Sequence, residues 1–256
     1  MSPSARTRRG VPEASVARLP VYLRALVTLA DAGVSTVSSD ALAGAAGTTS
    51  AQLRKDLSHL GSWGRRGVGY DVEELTSRIT QVLGVADRRS VVIVGTGHLG
   101  TALSGYSGFT SRGFRIAALV DADERLQGTT VHGMAVRPYS ELGEIVVAED
   151  VSIGVIAVPA EAAQEVCDAL VAAGVTAIMS FAPHPLVVPA DVDVRRVDLS
   201  TELQILSFHE QRKAVSRRSP RGPDERRELD GDVEDAAGGL GVSVEVPAVR
   251  GAGARS

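Results

Sequence analysis

Apolar positions in the first third of the chain recur at helical spacing. Leu19, Tyr22, Leu23, Leu26, Val27 and Ala30 fall three and four residues apart, and Pro20 suits a first turn, so a helix is predicted from Leu19. A short helix follows, with Ser39 as N-cap and Gly47 as stop. Thr49 opens a third helix that runs to about residue 60 and ends at Gly61, and Gln52 three residues on completes a candidate capping box. Two short helices either side of Gly47-Thr48-Thr49 have the shape of a helix-turn-helix. A fourth helix, with Val72, Leu75, Ile79, Val82 and Leu83, ends at Gly84 and reads as a linker.

The second half has another rhythm. Residues 90–94 end in a β-branched run, Val91-Val92-Ile93-Val94, of the kind buried on both faces of a parallel sheet. Apolar runs at 114–120, 151–158 and 175–181 alternate with a helix at about 160–173, which is the pattern of a doubly wound α/β sheet. A last stretch, 192–199, leads into a helix from Ser200 to about Lys213. Residues 1–17 and 214–256 are rich in charged residues, Gly, Ser and Pro, lack periodicity, and read as a disordered arm and tail.

The third helix is amphipathic in a way that suggests a partner. Leu53, Leu57 and Leu60 fall on one side, while Gln52, Arg54, Lys55, Ser58 and His59 spread over the other. Such side chains can donate to phosphates and to base edges in a major groove, although a solvated surface has the same pattern. Beyond the helix, Trp63-Gly64-Arg65-Arg66-Gly67-Val68-Gly69-Tyr70 sets two arginines among glycines, as the tip of a basic hairpin would. Arginines at such a tip can lie along phosphates or enter a narrow minor groove. A helix-turn-helix followed by a basic hairpin is a winged helix.

The run at 91–94 enters Gly95-Thr96-Gly97-His98-Leu99-Gly100 directly, and Asp121 ends the next strand about 20 residues on. This is the dinucleotide fingerprint in its required setting of strand, turn, helix and acid. Gly95 allows the turn, Gly97 admits the pyrophosphate and Gly100 lets helix and strand pack closely. Asp121 can accept both ribose hydroxyls but would repel a 2′-phosphate, so NAD(H) is favoured over NADP(H).

Charge supports a division of labour. The net charge of −4 over 256 residues conceals +4 in residues 1–90 and −7 in residues 91–213. Hydrophobic residues at 44% and charged residues at 23% are ordinary for a globular chain, and no apolar run approaches the ~18 residues of a membrane span. The N-terminus lacks the apolar core of a secretory signal, so the chain is expected in the cytoplasm. One cysteine, Cys167, excludes an internal disulfide and a multi-cysteine metal site. His132, His184 and His209 are scattered and no substrate domain is visible, so no catalytic constellation is expected. The competing readings are an NAD-dependent oxidoreductase with an accessory N-terminal DNA-binding domain, and a regulator whose ligand is a CoA ester.

Three segments together resemble the Rex family of redox-sensing transcriptional repressors. They are PVYLRAL at 20–26, AQLRKDLSHLG with WGRRGVGY at 51–70, and VVIVGTGHLG at 91–100 with the later VDLSTELQILSFH at 197–209. The likeness spans about residues 18–213. It implies an arm (1–17), a winged-helix DNA-binding domain (18–86), a Rossmann NAD(H)-binding domain (87–199), a helix exchanged between the subunits of a homodimer (200–213) and a tail (214–256). It further implies palindromic double-stranded operator DNA as partner, released when NADH, bound but not turned over, rises relative to NAD+. Carried over by motif, Gln52, Arg54, Lys55, Ser58 and His59 would face DNA from the recognition helix, and Arg65 and Arg66 from the wing. Gly95, Thr96, Gly97, His98, Leu99, Gly100, Tyr106 and Asp121 would hold the dinucleotide. Tyr106 matches a tyrosine near the nicotinamide, and Asp198 the aspartate that pairs with it across the dimer. Leu199 stands where many members have a phenylalanine, and Trp63 where the wing usually begins with phenylalanine.

Overall fold

The computed structural model describes residues 11–61 and 69–218, with side chains to residue 213. The expected wing tip, most of the N-terminal arm and most of the tail lie outside the described residues. The chain divides after Asp198 into two units, and the second begins at Leu199.

The N-terminal helices form α1 (Glu13–Asp31), α2 (Ser39–Ala45), α3 (Ser50–Ser58) and α4 (Val72–Leu83). Strands β1 (Thr36–Val37) and β2 (Tyr70–Asp71) pair antiparallel across the base of the expected wing. These elements share one core, in which Leu19, Tyr22, Leu26, Leu42, Leu53, Leu75 and Ile79 are buried. Thr49 caps α3 by accepting from the Gln52 N–H at 3.2 Å.

Three expectations need correction here. α1 starts at Glu13, so residues 13–17 are helical rather than part of a disordered arm, and Pro20 sits in the helix interior rather than its first turn. Proline there forgoes one helical hydrogen bond. Burial of Leu19, Tyr22 and Leu26 and the side-chain bonds of Ser15 and Arg18 hold the helix through that gap. Ser38, not Ser39, is the N-cap of α2, since its hydroxyl accepts from the Ala41 N–H at 3.1 Å. The capping box at α3 is half made, because the Gln52 side chain turns to Asp56 instead of back to Thr49.

Beyond α4 the chain builds the expected doubly wound sheet. Its strands are β3 (Arg89–Val94), β4 (Phe114–Asp121), β5 (Thr130–Val131), β6 (Met134–Pro138), β7 (Val151–Ile156), β8 (Ala177–Ser180) and β9 (Asp193–Arg196). They lie in the order β5-β6-β4-β3-β7-β8-β9, all parallel neighbours except the β5–β6 hairpin. Helices α5 (His98–Ser104), α6 (Ser107–Thr110), α7 (Leu142–Ala148) and α8 (Ala160–Ala172) intervene. The continuous apolar run of β3 is explained by its two buried faces. Val92 and Val94 pack into the cluster containing Ile145, Val166 and Leu170, while Val91 and Ile93 join Leu119, Val136 and Val155 on the other side. Strand order reverses at β3, with β4 on one flank and β7 on the other. The carboxyl end of β3 is thus the switch point at which open α/β sheets take their ligands.

The second unit contributes α9 (Leu199–Arg218), which starts one residue before the expected helix and runs five residues past it. It exposes Leu199, Leu203, Ile205, Leu206 and Phe208. Replacing the α3 cap, Thr49→Ala, should lower stability by about 1 kcal/mol in urea unfolding without changing the fold by circular dichroism.

Candidate nucleic-acid interface and dinucleotide site

The exposed side of α3 carries Arg54, Lys55 and Ser58, with His59 half-buried at its end. The Ser58 hydroxyl donates to the Lys55 carbonyl at 2.6 Å, so its proton is used within the helix. Gln52 is half-buried, with its amide engaged by Asp56. Arg65, Arg66 and Trp63 lie outside the described residues.

The buried side of the same helix holds a residue that the sequence reading does not single out. Asp56, 0% exposed, accepts five hydrogen bonds. Arg18 donates from Nε to Oδ2 at 2.6 Å and from Nη2 to Oδ1 at 2.7 Å. The Tyr22 phenol reaches Oδ2 at 2.7 Å, and the Ser15 hydroxyl reaches Oδ1 at 2.8 Å. Gln52 Nε2 completes the set at 2.9 Å to Oδ1. Burial pulls the carboxyl upward, but the donors from Arg18, Tyr22, Ser15 and Gln52 outweigh it and hold it at about 2. Burial, and then the bond to Asp56, push the Tyr22 phenol up to about 12. One signal was available: Asp56 is three residues past Leu53 and four before Leu60, inside the apolar stripe. An acid there has to be paired.

At the carboxyl end of β3 the three glycines of the fingerprint play distinct parts. Gly95 has φ +97°, and a Cβ on it would lie 2.6 Å from the Ala157 carbonyl oxygen. A Cβ on Gly100 would overlap the Gly95 carbonyl oxygen, so this glycine lets α5 press against the turn. A Cβ on Gly97 would meet nothing within 4 Å. Gly97 therefore borders open space at the start of α5, where no side chain caps the helix and a bound phosphate could approach the backbone. Gly97, His98 and Leu99 are exposed along this edge.

Asp121 ends β4 beside the turn. Its Oδ2 accepts from the Thr96 N–H at 2.6 Å and the Thr96 hydroxyl at 2.8 Å, and its Oδ1 accepts from the Asp123 N–H at 2.8 Å. Thr96 is buried, so its visible work is to aim the Asp121 carboxylate. Arg125, the nearby cation in sequence, forks onto Asp123 at 2.7 Å and is thereby committed to a carboxylate. Tyr106, half-exposed beyond α5, accepts from Arg112 Nη1 at 3.3 Å and meets the Phe109 ring edge-on, with centroids 5.2 Å apart. Asp198 closes the first unit and the exposed Leu199 opens the second. The expected pairing of Asp198 with Tyr106 is between two copies, an arrangement a single chain does not contain.

Among the described residues no cluster of three or more His, Cys, Asp or Glu side chains could hold a metal ion. Cys167 is buried in α8, and burial raises its thiol above the ordinary value. No helix of the described residues is long and apolar enough to cross a membrane.

Fold and sites together define a helix-turn-helix protein carrying a Rossmann-type domain with the features of a dinucleotide site. A family model described as "Putative DNA-binding protein N-terminus" matches residues 10–58, and one described as "CoA binding domain" matches residues 86–184. The redox-sensing transcriptional repressor Rex of Streptomyces avermitilis is 63% identical over 206 residues, covering 80% of this chain and 82% of the relative. Its namesake in Syntrophomonas wolfei is 47% identical over 199 residues, 78% of this chain and 95% of the relative. The crystal structure of RSP, a Rex-family repressor, in complex with NAD+ and operator DNA aligns with TM-score 0.76 at 34% identity, covering 81% of this chain and 95% of that one. RSP in complex with NADH aligns with TM-score 0.72 at 33% identity, covering 81% and 97%. The chain belongs to the Rex family of redox-sensing transcriptional repressors.

The two centres generate separate predictions. Asp56→Ala should cost about 3–5 kcal/mol by denaturant unfolding, because it strands the buried Arg18 and Tyr22 donors. In the wild type the folded carboxyl sits at about 2 against an ordinary 3.8, so Asp56 contributes its full stability above about pH 4. That contribution falls as pH drops through 2, which acid unfolding followed by circular dichroism should record. At the glycine turn, Gly100→Ala should destabilise by about 3 kcal/mol. Gly97→Ala should stay within about 1 kcal/mol of wild type yet lose the thermal shift that NADH produces.

Proposed function

We propose that this chain is a redox-sensing transcriptional repressor that binds palindromic operator DNA as a homodimer and leaves it when NADH replaces NAD+. The observation that carries the reading is a single chain joining a helix-turn-helix to an open Gly97 edge flanked by a fixed carboxylate. Arg54 and Lys55, exposed on α3, would neutralise phosphates, and Arg65 and Arg66 would do so from the wing. The turn made by Gly95 and Gly100 would admit the pyrophosphate of NAD(H) at Gly97, with Asp121 accepting the ribose hydroxyls. When bound, the dinucleotide supplies a ring that is cationic when oxidised and neutral when reduced, and its two states are the signal.

The residues that would read that difference are Asp198, Leu199 and Tyr106. Asp198 of one copy, paired with Tyr106 of the other, would favour the cationic ring. Leu199, exposed at the start of α9, offers an apolar surface that suits the neutral ring. The apolar row of α9 supports its exchange between subunits, since Leu199, Leu203 and Leu206 repeat at i, i+4 and i+7 and need a cover. Switching between mostly bound and mostly free takes about 5.5 kcal/mol of differential affinity, which NADH and operator must divide between opposite dimer arrangements.

This reading makes the protein a binder rather than a catalyst, acting in the cytoplasm. CoA carries a 3′-phosphate on its ribose, which would crowd Asp121, so the matched "CoA binding domain" family is taken to describe the fold of this half. Fluorescence anisotropy against a palindromic operator at fixed salt tests the proposal. NADH should weaken binding at least about tenfold relative to NAD+, without being consumed, and CoA should have no effect. Equal affinity with both nicotinamide forms would overturn it, and Asp198→Ala should reduce the difference.

A further inference from the structure

One polar side chain of the recognition helix has its hydrogen-bonding sense decided inside the protein. Gln52 Nε2 donates to Asp56 Oδ1 at 2.9 Å, one turn along α3. An ionised carboxylate can only accept, so the amide must turn its NH2 toward Asp56 and its oxygen away. Asp56 is ionised throughout the neutral range, held low by Arg18, Tyr22, Ser15 and Gln52 itself against the upward pull of burial. Among the described residues no donor bonds to Gln52 Oε1, and this atom is not among the buried ones that lack a partner. It therefore stays within reach of solvent, on the N-terminal turn of α3, the part of such helices that meets base edges.

A free glutamine rotates its amide and offers a donor or an acceptor as the base requires. A glutamine pinned on one side can no longer turn its amide over, so its oxygen keeps one position although Nε2 retains a second N–H. We propose that Asp56 fixes Gln52 as an acceptor-facing reader whose Oε1 selects an exocyclic amino group in the major groove, adenine N6 or cytosine N4, and rejects the carbonyls of thymine and guanine there. Asp56 is the positioning residue and Gln52 the one that touches DNA. The inference rests on the operator-binding reading and adds to it which base edges one position tolerates.

The test starts from duplexes selected out of a random pool by the full-length chain. In the best duplex each adenine is replaced by purine, and each cytosine by 2-pyrimidinone, both lacking the amino group. Affinities are read by anisotropy at fixed salt. One position in each half-site should lose about five- to tenfold in wild type and under about twofold in Gln52→Met, and the analogue that acts tells adenine from cytosine. Gln52→Met keeps the bonds from Arg18, Tyr22 and Ser15 to Asp56, so its fold is preserved. Identical profiles for the two proteins overturn the inference while leaving the operator reading intact; a pool that yields no preferred sequence overturns the operator reading. In folded Asp56→Asn the penalty should shrink to under about twofold, and an undiminished penalty removes Asp56 from the account. Independently of that variant, the Gln52 side-chain NH2 in wild-type NMR spectra should show one strongly downfield, exchange-protected proton. An ordinary solvent-averaged pair of signals would refute the pinning.

Discussion

An ionised carboxylate on the apolar side of the recognition helix is the constraint around which the N-terminal half is arranged. Asp56 is fully buried, and a charge in that position survives only if donors surround it. Four residues supply them, three from α1 and one from α3 itself. The consequence is geometric as much as energetic. A hydrophobic contact between α1 and α3 would tolerate sliding by a fraction of a turn, but five bonds of 2.6 to 2.9 Å to two oxygens would not. The same bonds support α1 from its first turn and on either side of Pro20, since Ser15, Arg18 and Tyr22 all reach the carboxylate from within that helix.

The Rossmann half uses the opposite device, the absence of side chains. Gly95 and Gly100 bring strand, turn and helix closer than any Cβ permits, while Gly97 leaves space that the protein does not fill. Asp121 is then fixed by Thr96, from the turn, and by the Asp123 backbone. The turn thus creates an open edge and also aims the acid beside it, so the two features of the fingerprint are mechanically one. Thr96, expected from the motif among the ligand contacts, is also the residue that fixes Asp121.

Much of this was legible in the chain because the signals were local. Thr49 as a cap, Gly47 as a stop, the strand-glycine-helix-acid succession and the alternation of β and α all depend on neighbours within a few residues. The failures came where particular side-chain and backbone contacts, near or far, decide against type and spacing. Pro20 looks like a helix start until partners 34 to 41 residues away are known, and Gln52 looks like half of a capping box until Asp56 competes for its amide. Ser38 and Ser39 are both good caps by type, and the local backbone chose the first. The β5–β6 hairpin and α7 escaped notice for another reason: two- and five-residue strands and a seven-residue helix are too short to establish a period.

The proposed switch places its demands at the join between the two units. Asp198 and Leu199 are consecutive, yet one closes the first unit and the other opens α9. In the proposed dimer, the charged half of the discrimination cannot be made by one copy acting alone. A ring that gains or loses a charge would, in that proposal, alter the balance between Asp198 and Leu199 at the base of the helix proposed to join the copies. Distance between the two recognition helices would then be set by how the copies meet, while the internal geometry of each is held by Asp56. That separation of duties would let a redox change move the reading heads without deforming them, and it would require the Asp56 cluster to stay intact in both states.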